Sequence, residues 1–220
     1  MLWNAPSASA FSWQDAGANR PAWAAPLDRM KLPLLILASA SPRRAELLKR
    51  LHLDFQIVPG DTPESHPEHL TPLEICQLNA YRKSRAIAKK HPDALVLGAD
   101  TIVCLGTTVF GKPVDSQEAH HTLAKLQGRT HQVLTGVCLL HLRAHRQSLF
   151  AVSTFVTFRH LRSGQIRRYL SKINPLDKAG AYAIQEEGDE IVKTISGSYS
   201  NVIGLPLERL KRELAEWREA

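Results

Sequence analysis

The chain has 220 residues, enough for one domain with a well-buried core, and its apolar and charged fractions are those of an ordinary globular protein. Its net charge of +7 favours an anionic partner, either a polynucleotide or a free nucleotide. No stretch approaches roughly 18 uninterrupted apolar residues, so we predict no transmembrane helix.

The first thirty residues differ from the rest because they contain Ala, Pro and Trp, few charges and no sustained periodicity. We predict a disordered extension at residues 1–30 and one domain at residues 31–220. From Met30 the sequence MKLPLLILASA imitates a short signal peptide, but its apolar run is at the lower limit for one, and we interpret it as a strand. Three widely spaced cysteines indicate reduced core thiols, and we predict a cytoplasmic protein.

A strand, a polar turn and a helix follow one another in the segment 34–51, LLILASASPRRAELLKRL. Ser41 suits the N-cap and Pro42 the first helical position. Arg43 and Arg44 then occupy the first turn, where the positive end of the helix dipole prefers acidic side chains. Backbone N–H groups, hydroxyls and guanidiniums at a helix start predict a site for a phosphate-like anion. The alternative is a pair of solvated arginines on a surface turn.

The remaining pattern alternates strands and helices and includes one antiparallel hairpin. It predicts a single α/β domain with a mixed sheet flanked by helices. The predicted strands are 52–58, 94–105, 131–142, 148–161 and 191–195, the predicted helices are 71–90, 115–128, 163–171 and 206–217, and 197–204 is predicted as a loop.

Four further charged residues suggest chemistry on phosphates. Asp100 interrupts an apolar strand, and burying a lone carboxylate costs several kcal/mol unless it is paired, metal-bound or protonated. Lys83 lies in the apolar stripe of a helix, Gly-Lys-Pro holds Lys112 in a turn, and Glu64 lies in an acidic loop. Cations neutralise phosphate oxygens, while carboxylates hold a divalent ion and activate water, as phosphoanhydride hydrolysis requires. The alternatives are a snorkelling lysine and an Asp that caps a turn.

Seven segments together resemble the Maf family of nucleoside triphosphate pyrophosphatases. The segments are LASASPRRAELL (37–48), DTPES (61–65), ALVLGADTIV (94–103), FGKP (110–113), LQGRTHQVLTGV (126–137), DKAGAYAIQ (177–185) and GSYSNVIGLPL (197–207). The resemblance implies an elongated mixed sheet related to the inosine triphosphate pyrophosphatase (Maf/Ham1) fold, and a homodimer. It also implies a divalent cation, Mg²⁺ or Mn²⁺, and cleavage between the α and β phosphates.

The resemblance also implies residue roles. Asp100 would accept the proton and, with Glu64, hold the metal. The phosphate-binding residues would be Ser41, Arg44, Lys83 and Lys112, and the specificity residues Arg43, Thr101 and Gln185, as in members that prefer dTTP and UTP. The chain departs from the family pattern at Pro63, where the acidic loop usually carries an Asp-Glu pair, and in the segment NAYRKS around Lys83.

The sequence therefore leaves three candidate functions for the chain. The first is hydrolysis of dTTP and UTP to the nucleoside monophosphate and pyrophosphate. The second is the same chemistry on modified nucleotides such as 7-methyl-GTP or modified pyrimidines. The third is a non-enzymatic, nucleic-acid-associated regulator of cell division, which we disfavour because the sequence lacks a recognition helix or an interleaved basic-aromatic patch.

Overall fold

The computed structural model describes residues 33–217, and the extension predicted at residues 1–30 lies outside the described residues. Within that range the chain forms seven strands and seven helices, with a short 3-10 turn at Ala179–Ala181. The strands are β1 (Leu35–Leu37), β2 (Phe55–Ile57), β3 (Leu95–Leu105), β4 (Thr108–Phe110), β5 (Thr130–His141), β6 (Arg146–Phe158) and β7 (Val192–Ser196). The helices are α1 (Pro42–Lys49), α2 (Pro72–Ala88), α3 (Ser116–Leu126), α4 (Ser163–Leu170), α5 (Gly188–Ile191), α6 (Tyr199–Ile203) and α7 (Leu207–Glu216).

One mixed sheet joins all seven strands in the order β2-β1-β3-β5-β6-β7, with β4 paired to β3. The first three neighbours are parallel, because helices connect them, and the later neighbours are antiparallel. The prediction of a single α/β domain with a mixed sheet flanked by helices is confirmed. So is the hairpin, which β5 and β6 form.

Helices cover both faces of the sheet. On one face, Leu47 of α1 and Leu210 of α7 join a buried cluster with Leu97 of β3. On the other face, Ala80 and Ile87 of α2 pack in a second buried cluster. Within residues 33–217, no helix combines the length and apolar character needed to cross a membrane.

The backbone of α2 lies directly on the sheet at two glycines. A Cβ atom at Gly136 of β5 would stand 2.3 Å from the carbonyl oxygen of Cys76. One at Gly98 of β3 would stand 2.7 Å from the carbonyl oxygen of Ala80. Real side chains do not approach backbone this closely, so any larger residue would push α2 outward.

The edge of β3 that carries β1 is open over its middle. β1 pairs with β3 from Leu95 to Leu97, and β4 pairs with it from Val103 to Leu105. The opposite edge is occupied by β5 from Val96 to Cys104. Among residues 33–217, no strand therefore lies beside residues 98–102 on the first edge, and we call this gap the β3 notch.

The structure excludes one alternative and corrects one prediction. Asp100 lies within β3 and does not cap its end, so the alternative of a turn-capping residue is wrong. The segment 197–204, predicted as a loop, contains the short helix α6, which Ser198 caps by accepting a hydrogen bond from the Asn201 N–H.

The close approach of α2 gives a stability prediction. Gly136→Ala is expected to lower the free energy of unfolding by about 1–3 kcal/mol, because the added methyl group meets backbone atoms. Urea denaturation measures the change. Gly164→Ala is the control, because a Cβ at Gly164 in α4 meets no atom within 4 Å. Equal stability of the two variants would contradict the packing argument.

Candidate active site

The β3 notch opens into a cleft of about 490 Å³. The cleft gathers residues from segments far apart in the sequence. All nine site residues predicted from the sequence line it: Ser41, Arg43, Arg44, Glu64, Lys83, Asp100, Thr101, Lys112 and Gln185. Asp100 and Thr101 are adjacent on β3 and point to opposite faces of the sheet. Both still reach one cleft because it opens beyond the end of β1.

Asp100 is the buried carboxylate at the base of the cleft, with 2% exposure. Its Oδ1 lies 2.5 Å from Lys83 Nζ, and its Oδ2 accepts a hydrogen bond from Asn79 Nδ2 at 3.2 Å. Lys83 Nζ also lies 3.0 Å from Glu64 Oε1. The ion pair and the amide donor satisfy the carboxylate, which offsets the cost of burying it.

Asn79 is a site residue that our sequence reasoning missed. Its amide also bonds the acidic loop, where Oδ1 accepts from the Ser65 N–H at 2.8 Å and Nδ2 donates to the Ser65 carbonyl at 3.1 Å. Asn79 therefore fixes the loop that carries Glu64 beside Asp100. A signal was present in the sequence, because Asn79 precedes Lys83 by one helical turn and thus shares its face.

Glu64 contacts two lysines, Lys83 at 3.0 Å and Lys112 at 3.5 Å. Partial burial would raise the pKa of the Glu64 carboxyl, but the two ammonium groups outweigh it and lower that pKa to about 2. Glu64 is therefore ionised at neutral pH, and the acidic loop presents a fixed negative charge to the cleft.

The donor set fits a divalent cation that arrives with a nucleotide. Carboxylate oxygens of Glu64 and Asp100 both face the Lys83 ammonium, so they converge on one point. Residues 33–217 contain no cluster of three or more His, Cys, Asp or Glu side chains able to hold a metal. Mg²⁺ is typically bound by one or two carboxylates together with substrate phosphates, which matches two protein ligands.

The N-terminus of α1 forms the opposite wall. Ser41 occupies the N-cap position as predicted, but its side chain makes no capping hydrogen bond, and the first turn contains no acidic residue. Within residues 33–217, the backbone N–H groups of Arg43 and Arg44 have no hydrogen-bond acceptor. Uncapped N–H groups beside a free hydroxyl and two guanidiniums are a suitable anion-binding arrangement.

The two arginines have different surroundings. Arg43 reaches across the cleft to Asp177, with Nη1 2.9 Å from Oδ2 and Nη2 3.1 Å from the backbone carbonyl. The other oxygen of Asp177 lies 2.9 Å from Lys178 Nζ. Lys178 has 5% side-chain exposure and also donates to the Asn174 carbonyl at 2.7 Å. Lys178 is therefore a partner of Asp177 within its own loop.

Arg44 is half-buried and belongs to the wall of the cleft. Its Nε donates to the Gly204 carbonyl at 2.9 Å, Nη1 to Ser39 Oγ at 3.3 Å and Nη2 to Thr101 Oγ1 at 3.1 Å. Burial lowers the pKa of the Arg44 guanidinium, and the charge of Asp100 acts in the opposite direction. These three anchors fix the plane of the guanidinium.

Part of the cleft lining is apolar. Val103, Tyr182, Ile184 and Ile203 contribute to it, and Gln185, which also lines the cleft, is exposed. The Tyr182 hydroxyl lies 2.8 Å from His131 Nε2, and its ring packs edge-on against Phe158 with centroids 4.8 Å apart. These contacts fix the Tyr182 ring, so it gives the cleft a rigid apolar surface.

Known proteins are similar to this chain over the part that contains the cleft. A family model described as Maf-like protein matches residues 34–217. A dTTP/UTP pyrophosphatase from Moorella thermoacetica is 48% identical over 181 residues, covering 82% of this chain and 93% of that protein. A dTTP/UTP pyrophosphatase from Pelotomaculum thermopropionicum is 44% identical over 176 residues, covering 80% and 92%.

Among solved structures, the Ham1 protein of Staphylococcus aureus superposes with a TM-score of 0.48 at 16% identity, covering 83% of this chain and 98% of that one. The family match runs from β1 to the end of α7 and includes every residue discussed above in the cleft. The resemblance noted in the sequence is thereby confirmed, and the chain belongs to the Maf-like protein family.

Proposed function

We propose that the chain is a nucleoside triphosphate pyrophosphatase that hydrolyses dTTP and UTP to the nucleoside monophosphate and pyrophosphate. The observation that carries the proposal is the buried Asp100 carboxylate at the base of a cleft that three lysines and two arginines also line. The names of relatives that are 44–48% identical over most of the chain support the choice of nucleotides.

The charges and the apolar part of the lining orient the substrate in this proposal. The triphosphate lies between the N-terminus of α1 and the lysines, where N–H groups and cations offset its charge. The base then lies against the apolar part of the lining, at Tyr182 and beside Gln185. The N–H groups of Arg43 that do not bond Asp177 are then available to a phosphate or to the base.

Asp100 is the proton acceptor in this proposal. It takes a proton from the water that attacks the phosphorus, while Asn79 holds its second oxygen in place. Lys83 carries three N–H donors, and it bonds Asp100 and Glu64 in the structure. Phosphate oxygens of a bound nucleotide compete for those donors, which frees a lone pair of Asp100 for the proton.

Glu64 and Asp100 are the residues that would hold Mg²⁺ or Mn²⁺. When bound, the cation supplies Lewis-acid polarisation of a phosphate oxygen. The homodimer and the cytoplasmic location both stay predictions. Sedimentation of the purified chain tests the homodimer.

The substrate prediction is tested with the unmodified protein. In the presence of Mg²⁺, pyrophosphate release is expected to be faster from dTTP and UTP than from CTP, GTP and 7-methyl-GTP. Chelation with EDTA is expected to abolish release, and added Mg²⁺ or Mn²⁺ to restore it, because two carboxylates alone retain the ion weakly. Preference for a modified nucleotide would favour that alternative. Tight DNA binding without turnover would favour the non-enzymatic one.

Removing the proton acceptor tests the mechanism. Asp100→Asn is expected to fold and to lose about 10²–10⁴-fold in kcat, because the amide cannot take the proton. Asp93→Asn is the matched control, because Asp93 lies two residues before the start of β3, is exposed and pairs with Arg143. Thermal melts of both variants check that they fold. Pyrophosphate release near the wild-type rate from Asp100→Asn would refute the assignment.

The base preference is tested at the rim of the cleft. Gln185→Ala is expected to lower the ratio of kcat/KM for UTP to that for CTP by about tenfold, because a polar contact that discriminates bases is lost. Gln147→Ala, at an exposed position of β6 away from the cleft, should leave the ratio unchanged. An unchanged ratio in Gln185→Ala would remove Gln185 from the specificity residues.

A further inference from the structure

A row of hydrogen bonds runs from Arg44 in the cleft to the backbone of α6. Arg44 Nη2 lies 3.1 Å from Thr101 Oγ1, which lies 3.0 Å from Thr135 Oγ1 of β5. Thr135 Oγ1 in turn lies 3.0 Å from the carbonyl oxygen of Asn201. Thr135 and Asn201 are fully buried. We call this row the threonine relay.

Counting hydrogens fixes the direction of each bond in the threonine relay. A hydroxyl group has one hydrogen, and a carbonyl oxygen can only accept. Thr135 must therefore give its hydrogen to Asn201, which leaves its oxygen to accept from Thr101. Thr101 gives its single hydrogen to Thr135 and accepts from Arg44, which can only donate. One assignment satisfies all three contacts.

This direction limits what Thr101 can do in the cleft. Its hydrogen is already used, so it cannot donate to a nucleotide. Its bond to Arg44 Nη2 complements the anchors at Nε and Nη1, on Gly204 and Ser39. Thr101 therefore fixes the angle at which the remaining N–H groups of Arg44 face the cleft.

The far end of the threonine relay is anchored in the sheet. Asn201 Nδ2 donates to the Val133 carbonyl of β5 and to Thr154 Oγ1 of β6, each at 3.0 Å. Thr154 also donates to the Ser198 carbonyl at 3.1 Å. The carbonyl that accepts from Thr135 is thus held by two strands, so the position of Arg44 is set by the sheet.

We propose that Thr135 is a positioning residue for nucleotide hydrolysis, and that Thr101 acts on the substrate through Arg44. The proposal rests on the proposed function and deepens it. Thr135 is fully buried and does not line the cleft, so a nucleotide bound there is not expected to touch it. Without its hydroxyl, the hydrogen of Thr101 loses its buried acceptor and rotates to a new one. The lone pair that holds Arg44 Nη2 then moves, and the guanidinium loses one of its three anchors.

Three variants test the positioning role in steady-state hydrolysis of UTP with Mg²⁺. Thr135→Val, which keeps the shape and removes the hydroxyl, is expected to lower kcat/KM about tenfold, mainly by raising KM, since Arg44 binds substrate and transition state alike. Thr135→Ser keeps the hydroxyl and is expected to retain the wild-type value. Thr135→Cys, a weaker hydrogen-bonding group, is expected to fall between them and serves if the valine variant does not fold.

Ser84→Ala is the matched control for a merely structural effect. Ser84 is as buried as Thr135, and its hydroxyl also donates to a backbone carbonyl at 3.0 Å, that of Cys138 on β5. Ser84 belongs neither to the threonine relay nor to the lining of the cleft, so its loss is expected to lower the melting temperature while keeping kcat/KM. An equal loss of kcat/KM in Ser84→Ala, or no rescue by Thr135→Ser, would overturn the proposal.

A double-mutant cycle tests the claim about Thr101. If Thr101 and Thr135 act in series on Arg44, Thr101→Val combined with Thr135→Val lowers kcat/KM no further than the more impaired single variant. Independent actions would instead multiply the two effects and overturn the proposal.

The proposed function and the threonine relay fail in different ways. Absence of pyrophosphate release from the unmodified protein refutes the proposed function alone. Calorimetric dissociation constants for UTP, measured without metal on the same variants, then test the relay. The expected order is weakest binding for Thr135→Val and wild-type binding for Thr135→Ser and Ser84→Ala. Wild-type binding in Thr135→Val would overturn the relay.

Discussion

The backbone of α2 rests on the sheet because β3 and β5 carry glycines where helix and strand come closest, and the chemistry of the cleft depends on that contact. Gly136 is the strand partner of Asp100, and Gly98 precedes Asp100 by two residues on the same face. The absence of side chains at these points lowers α2 until Asn79 and Lys83 reach the carboxylate. Packing therefore determines the electrostatics: the ion pair that makes a buried Asp100 tolerable exists because two Cβ atoms are absent.

The two arginines of the first helical turn show how one sequence feature divides into two physical roles. Arg43 is held at the surface of the cleft by Asp177, through contacts that water can compete for. Arg44 is half-buried, and its contacts are with the Gly204 carbonyl and the hydroxyl oxygens of Ser39 and Thr101. Two cations at a helix N-terminus are electrostatically unfavourable, and within the described part of the fold only Arg43 pairs with a carboxylate, that of Asp177, while Arg44 contacts neutral oxygens. The uncapped N–H groups still lack an acceptor among residues 33–217, which is the condition for attracting an anion.

Most of the fold and much of the cleft could be predicted because their signals are local in the chain. The strand-turn-helix around Ser41 and a helix starting at Thr71 were predicted from adjacent residues, and the structure shows a capping box at Thr71. Asp100 was noticed because a charge within an apolar strand has few explanations.

The parts that could not be predicted depend on contacts between distant segments. Asn79 looked like an ordinary helix residue, and only the packing of α2 brings it to Asp100. The pairing of Arg43 with Asp177 joins residues 134 positions apart. The threonine relay joins residues of four different elements, Arg44 of α1, Thr101 of β3, Thr135 of β5 and Asn201 of α6. Hydrophobic periodicity does not predict such contacts.

Because β1 ends at the β3 notch, access to Asp100 depends on the length of β1. β1 has three residues and ends where Leu37 pairs with Leu97, and five more in the same register would lie beside residues 98–102 and complete the ladder. The sheet would gain hydrogen bonds, and the approach to Asp100 from that edge would be lost. A stability-driven redesign of this fold would tend to make that extension. Activity in this architecture therefore depends on hydrogen bonds that the backbone could form and does not.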